Sequence, residues 1–492
     1  MKEKQEKRNL FCYPLGTVGR DFVYNLFTNY ILLFILFTKR LTAGQLAVIT
    51  GIMVAARIFD ALNDPVMGNI IERTRGKFGK FKPWLLAGVI STSVVIYLAF
   101  NVKLDGWNFV IFFGIIYFAY SITYTMHDIS YWGMVPALSK NGDTRNRLTS
   151  MASFCAGVGG TLASILIPLL TTGDMALGGN AQTAYGYIAL IAAVISILFI
   201  LFPVIGAKEN RSDMDTPAPK VSFKKIISTI GGNDQLLWIS LIFLIQEVGN
   251  GIVLGGAGAN YIYFEFGYEG GLYSTFSTVG MLATAVLMII YPSLSKKYHR
   301  MALAKFITCV AVGGYAVQLL AGIFMPATMI KFWVITVGFM FSNLGQYGLY
   351  LIMMISIINT VEYNELKKGT RDEAIITSMR PFLTKMASSI TVIIVNLTFI
   401  LSKVISYTNQ ISDYEAQANQ GVITAEAKGA LIKTVTDSVS AGQKNGLLIA
   451  MTVIPCALMV TSVVLYRKFY KLDEETYEDI LKQLDDKKAQ EK

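Results

Sequence analysis

The chain reads as an all-α, polytopic membrane protein with twelve transmembrane helices in two six-helix halves. Three observations predict this. Of the 492 residues 53% are hydrophobic and only 15% charged, where soluble domains carry ~25% charge. Apolar runs of ~20 residues, each long enough to cross ~30 Å of hydrocarbon, recur along the whole length. Lys and Arg gather in alternate connections between those runs. The runs are continuous rather than alternating, which excludes an outer-membrane β-barrel.

Taken in order, the spans fall at 13–38, 43–71, 83–102, 107–138, 149–172, 183–206, 236–265, 270–295, 301–324, 329–361, 374–404 and 444–469. The charged, Pro-bearing stretch AKENRSDMDTPAPKVSFKK separates the sixth from the seventh. It divides the chain into a first half (1–207), a linker (208–235), a second half (236–469) and a tail (470–492). The eleventh connection, 405–443, is long and polar; apolar residues at helical spacing in 425–439 predict a short surface helix there.

The basic residues orient the bundle. The N-terminus carries Lys2, Lys4, Lys7 and Arg8, and the second loop Arg73, Arg75, Lys77, Lys80 and Lys82. The eighth loop carries Lys296, Lys297 and Arg300, and the tenth Lys367, Lys368 and Arg371. Odd loops are poor in such residues, Lys39 and Arg40 in the first excepted. Both termini are therefore expected in the cytoplasm, with the chain in the cell inner (plasma) membrane and the lipid bilayer as its surroundings. The formal net charge of +10 belongs to those loops, so no nucleic-acid partner is expected. No cleavable signal is visible in MKEKQEKRNL. Cys12, Cys155, Cys309 and Cys456 are scattered, the histidines are His127 and His299, and no metal spacing appears. No cofactor is expected and an enzyme finds little support.

Ionisable residues inside apolar spans are costly and mark functional sites. Span one holds Arg20 and Asp21, whose side chains leave the helix ~100° apart and so need not pair directly. They read either as substrate contacts or as an internal salt-bridge anchor. Span two holds Arg57, Asp60 and Asp64 on one face, with Asn63 between the acids. Two like charges one turn apart repel unless a monovalent cation, Na⁺ or H⁺, lies between them. A buried Arg–Asp pair would account for one acid but not both. In span four Tyr124, Asp128 and Trp132 are four apart and form a stripe. A carboxylate beside an aromatic face suits a sugar ring; the plainer reading is a structural aspartate with an interfacial tryptophan. His127 points off that stripe as a packing residue. In the second half span seven holds Gln246, Glu247, Asn250, Asn260 and Tyr261, span ten Asn343, Gln346, Tyr347 and Tyr350, and span eleven Arg380; most of the amides among them read equally as interhelical hydrogen-bonding groups or ligand contacts. Lys385 in span eleven is the ammonium deep enough to oppose the first-half carboxylates. Within the first half four acids stand against two guanidinium groups, an imbalance that a bound cation, protonation or Lys385 must relieve.

These blocks resemble known families. GNIIERTRGKFGK is similar to the cytoplasmic signature of the major facilitator superfamily, with YPSLSKKYHRMAL as a weaker echo. ARIFDALNDPVMGNIIERTRGKFGKFKPWLL, GRDF, YTMHDISYWGMVP, VEYNELKKGTRDEA and VVLYRKFYKLDEET closely resemble the glycoside–pentoside–hexuronide:cation symporters, in order and over nearly the whole chain. That resemblance implies a major facilitator fold and cation-coupled uptake of a sugar or glycoside by alternating access. It implies Asp60 and Asp64 as cation ligands, with oxygens from Asn63 and Thr125. It implies Asp21 and Asp128 as acceptors of sugar hydroxyls, with Arg20 nearby, Trp132 stacking, Tyr124 lining the pocket and Lys385 linking the halves. Two places depart from the pattern: Ser153 stands where the family has a sugar-contacting arginine, and Asn359 where it has an aspartate. Arg73, Arg75 and Arg371 are expected to pair with acids such as Glu72, Asp143 and Glu365 as a gate. A lysolipid or other organic-solute symporter of the same fold and a non-transporting sugar sensor are the rival readings.

Overall fold

The structure is a computed structural model that describes residues 2–74, 76, 78–139, 141–209 and 223–490. Arg75 and most of the linker (210–222) lie outside the described residues. The helices in chain order are α1 (Lys2–Asn29), α2 (Ile31–Thr38), α3 (Ala43–Glu72), α4 (Lys82–Asn101), α5 (Gly106–Leu138), α6 (Gly142–Thr171), α7 (Ala181–Leu201), α8 (Phe223–Gly231) and α9 (Asp234–Ile252). They continue as α10 (Gly258–Phe266), α11 (Gly270–Lys297), α12 (Arg300–Phe324), α13 (Met329–Lys368), α14 (Glu373–Leu401), α15 (Ile405–Asn419), α16 (Ala425–Ser438), α17 (Ala441–Phe469) and α18 (Glu474–Gln490). Eleven described helices are long and apolar enough to cross a membrane. The pair α1 and α2, bent by 47°, makes the twelfth when taken as one span. At that bend Asn25 Nδ2 donates to Asp21 O at 2.8 Å, a side-chain bond that competes with the backbone ladder, and Asn29 Nδ2 donates to Asn25 Oδ1 at 2.7 Å.

Span boundaries follow the apolar runs closely, and the differences come from polar turns that the hydropathy does not register. Helix α6 begins at Gly142 rather than 149 because Asn141 Oδ1 caps Asp143 N at 2.8 Å. Helix α13 runs on to Lys368, where Gly369 at φ 71° closes it.

Two compact units form. The first comprises Met1–Ala218, Ile262–Thr275 and Phe399–Gln443, and the second the remainder. The sequence linker lies near their boundary, but the residues joining spans seven and eight and the whole eleventh connection pack with the first unit. In that unit α1 lies against α6 and α7 at glycines. A Cβ on Gly159 would stand 2.2 Å from Val18 O, and one on Gly19 2.6 Å from Ser196 Cα. Small residues let helix backbones approach where lipid offers no hydrophobic drive. The turn before α4 is built around Gly79 at φ 102°. Its amides cradle a carboxylate: Glu209 accepts from Lys80 N at 2.8 Å and Lys82 N at 3.2 Å. An acid at a helix N-terminus meets unpaired donors and the positive end of the dipole.

The eleventh connection folds as α15 and α16, the second matching the helix expected at 425–439. Helix α15 had no strong apolar period to announce it. It is held by tertiary bonds, Leu41 N to Asn409 Oδ1 at 2.9 Å and Asn409 Nδ2 to Leu41 O at 2.8 Å. Between the two helices Glu415 is buried against Lys428 at 3.3 Å and also accepts from Ala181 N at 2.7 Å.

In the second unit α12 and α13 approach through Gly314 and Gly345. The tail forms α18, whose Glu474 accepts from Arg300 N at 2.6 Å and Nε at 3.1 Å.

Candidate functional site

Helices α3 and α5 carry a ladder of acid–hydroxyl rungs. Ser121 Oγ donates to Asp60 Oδ1, and Thr125 Oγ1 donates to Asp64 Oδ1 at 3.1 Å. Residues four apart share a helix face, so two acids on α3 meet two hydroxyls on α5 at matching heights. Asp60 is buried and lies 3.8 Å from Arg57 Nη1, an ion pair at the upper end of contact distance. Tyr24, Tyr117 and Tyr120 stand around the Arg57 guanidinium. Beside the acids, Asn63 Nδ2 is buried without a hydrogen-bond partner among the described residues. The ladder thus concentrates carboxylate and hydroxyl oxygens within a single span-two, span-four contact. Hard monovalent cations are bound by oxygens of this kind, and a proton by the carboxylates.

Further along the same face of α5 lies a second constellation. Arg20 is its hub, buried at 5% exposure. Its Nε and Nη2 donate to Asp21 Oδ2 at 2.9 and 2.7 Å, and its Nη1 donates to Asp128 Oδ1 at 3.0 Å. Arg20 and Asp21 therefore do pair, because the long guanidinium stem curls back to its neighbour despite the ~100° divergence of the two Cα–Cβ bonds. The guanidinium also lies 5.2 Å from the Tyr131 ring and 5.0 Å from Trp132. Asp128 keeps 39% of its side chain exposed and Asp21 20%. The guanidinium thus holds both carboxylates in place while part of each side chain remains exposed. Tyr124 stands beside this group, stacked on Tyr120 at 5.3 Å and tilted on Tyr24 at 5.5 Å. Phe27 stacks on Tyr120 at 3.7 Å to back the wall. His127 lies off the stripe and is buried at 1% exposure, its N 2.7 Å from a Cβ built on Gly88.

The structure thus brings Arg20, Asp21, Tyr124, Asp128 and Trp132 together, and Asp60, Asp64, Asn63 and Thr125 beside them. Lys385 lies half-buried on α14 in the second unit. Ser153 on α6 is exposed. Among the residues expected to gate, Arg371 binds Glu362 at 2.8 Å, Glu365 at 2.9 Å and Glu373 at 3.3 Å within the second unit. Arg73 is exposed at the end of α3, while Glu72 pairs with Lys80 instead. Asp143 is exposed in the first turn of α6. At Asn359, with its amide oriented to suit its neighbours, Oδ1 accepts from Arg300 Nη1 at 2.8 Å, and Glu474 supplies the charge that an aspartate there would bring. Sequence reading missed Ser121 and the tyrosines around Arg57. Ser121 was legible as the residue one turn before Thr125, in step with Asp60 and Asp64.

Residues 12–474 match the family described as MFS/sugar transport protein. The chain belongs to this family. Membership agrees with the resemblance to glycoside–pentoside–hexuronide symporters, and it makes the chain a multi-pass membrane transporter of the major facilitator superfamily rather than an enzyme. Among similar family members, the lactose permease of Lactobacillus helveticus is 30% identical over 98% of this chain and 72% of its own length. The raffinose carrier protein of Pediococcus pentosaceus is 26% identical, over 96% of this chain and 70% of its own. Solved structures share the fold at low identity. A D-xylose–proton symporter aligns with TM-score 0.60 at 11% identity, covering 90% of this chain and 99% of that one. A bacterial homologue of the human lysosomal transporter Spinster aligns with TM-score 0.60 at 13% identity, covering 95% and 98%.

Proposed function

We propose that this family member is a cation-coupled symporter of a sugar or glycoside, working by alternating access in the inner (plasma) membrane with both termini in the cytoplasm. The observation that carries the reading is the Asp60–Ser121, Asp64–Thr125 ladder lying on the same helix as the sugar-type group at Tyr124 and Asp128. Without a cation the two acids repel across one helical turn. Loading Na⁺ or H⁺ removes that repulsion and settles α3 against α5. Thr125 is the residue next to Tyr124, so the same settling orients the sugar-binding face. The coupling is a binding free energy between two sites and is reciprocal: sugar must tighten the cation by the factor that the cation tightens sugar. The lactose permease and raffinose carrier relatives support a glycoside as the solute.

The test is uptake of a panel of labelled glycosides into vesicles, with a sodium gradient and a proton gradient imposed in turn. Accumulation above equilibrium under one gradient is the expected result. Equilibration without accumulation under both would leave a carrier without coupling, and binding without any uptake would leave a sensor. Either result ends the symport reading.

A further inference from the structure

The second unit contains an acid that this mechanism does not use. Glu247 sits about 20 Å along the span that begins at Asp234, a helix rising 1.5 Å per residue. Its carboxylate accepts a single, long hydrogen bond, from Asn250 Nδ2 at 3.3 Å. Among the described residues no cation stands within ion-pair distance of it. Arg380 on α14 attracts it electrostatically. The Arg380 guanidinium, however, lies over the Tyr350 ring at 6.0 Å and turns Nη1 toward Met354 Sδ at 3.7 Å. Lys385 is the other charged group on this part of α14. Helix α13 faces the acid with Tyr347 and Tyr350. Helix α17 meets α9 at Gly249 through Pro455 and Leu458, where Cys456 is the titratable neighbour. Glu247 is half-buried, and at this depth with so little support its ionised form costs more than its neutral form.

An independent feature lies beside it. Immediately after α9 the helix opens into a π turn at Val253–Ala257, with Gly256 at φ 128°. Asn260 Nδ2 donates to Gly256 O at 3.0 Å to repair the break. Asn260 Oδ1 and Gln246 Oε1 remain buried without hydrogen-bond partners among the described residues. On the α14 side, Cβ atoms on Gly251 and Gly255 would meet Thr391 at 3.0 and 3.3 Å. A π turn inside a membrane helix marks a place where the backbone rearranges, and broken helices line transporter sites.

We propose that Glu247 is a second coupling site, specific for a proton, and that the π turn at Val253–Ala257 is the hinge that its charge controls. Rearrangement of the hinge brings the acid closer to Arg380, and the carboxylic acid dissociates to carboxylate and H⁺; the reverse movement takes the proton up again. The inference rests on the symport reading, because a proton carried at Glu247 moves with the solute.

Infrared difference spectroscopy of the full chain in liposomes, stepped between pH values of about 5 and 9, a range wide enough for a glutamate held at membrane depth, reads the site without a solute. The expected result is a carboxylic acid C=O band that titrates in the native chain, is absent in Glu247→Gln and shifts in Glu247→Asp. The band should persist in the Asp60→Asn, Asp64→Asn double variant. A band unchanged in both Glu247 variants overturns the proposal, as does a Glu247 band that never titrates, which would mark a permanently neutral structural acid. Uptake of the best-transported labelled glycoside by the double variant separates the two readings. Gradient-driven accumulation surviving there defeats the ladder assignment and leaves the Glu247 band standing.

Discussion

Replacing Arg20 by lysine keeps the charge and removes the fork, and so isolates what the guanidinium geometry contributes. Arg20 makes three charge-assisted hydrogen bonds, two to Asp21 Oδ2 and one to Asp128 Oδ1, at 2.7–3.0 Å. An ammonium is a point charge on a flexible stem and cannot hold two carboxylates in one plane. It should keep Asp21, its chain neighbour, and release Asp128. Hydrogen bonds to charged groups contribute about 1.5–3 kcal/mol each. Asp128 is 39% exposed, so water repays part of that loss and the lower end applies. About 1.5 kcal/mol of lost positioning corresponds to about tenfold weaker glycoside binding. The assay is equilibrium binding of the best-transported labelled glycoside to purified protein, with cation affinity measured alongside. Cation affinity should stay within about twofold, because the ladder on Asp60 and Asp64 shares no hydrogen bond with Arg20. Arg20→Lys binding sugar like the native chain would refute the claim that Arg20 holds Asp128 in place.

Asp64→Cys should abolish gradient-driven accumulation while leaving glycoside exchange across the membrane; full concentrative uptake would remove Asp64 from the cation site. Thr125→Val deletes a donor of the same shape and should weaken the cation about tenfold, about 1.5 kcal/mol for a bond to a charged acceptor, as read by the cation dependence of uptake. Gly79→Ala places a Cβ 2.6 Å from Glu209 Oε2 at φ 102° and should cost about 1–3 kcal/mol of stability in chemical unfolding. A neutral result there would mean that the cradle is loose. At Asp372, burial alone would raise the carboxyl, but bonds from Lys225 Nζ at 2.7 Å and from the Thr370 and Thr229 hydroxyls at 2.9 Å hold it below the usual carboxylate range. The folded state therefore gains stability above the unfolded value of about 3.9 and loses it as pH falls below that. Asp372→Asn should flatten this acid arm of the thermal-melting profile, and an unchanged arm would contradict the assignment.

Hydropathy and loop charge were enough for the spans because a bilayer leaves a backbone few choices: each crossing segment must be apolar and must satisfy its own hydrogen bonds. The boundaries were less legible. Gly142–Leu148 is polar and joins α6 through the Asn141 cap, a local bond that hydropathy does not record. The candidate site was half visible. Asp60 and Asp64 announced themselves as acids one turn apart, and Tyr124, Asp128 and Trp132 as a stripe. Periodicity places residues on a face and says nothing about which neighbour that face meets. Ser121 on Asp60 and the three-way hold of Arg20 on Asp21 and Asp128 therefore emerged only once α1, α3 and α5 were packed.

The order of amino acids alone established how many times the chain crosses the membrane, which family it belongs to and which charges are lodged inside. Those properties follow from transfer free energies and motif identity, which are local to each segment. Partner choice was left to the packed fold. Which hydroxyl meets which acid, where Glu209 and Glu415 find their donors, and that residues 262–275 and 399–443 group with the first unit all depend on long-range approach between helices. Glycines at Gly19, Gly79 and Gly159 permit those approaches, and no one-dimensional pattern encodes the distances they allow.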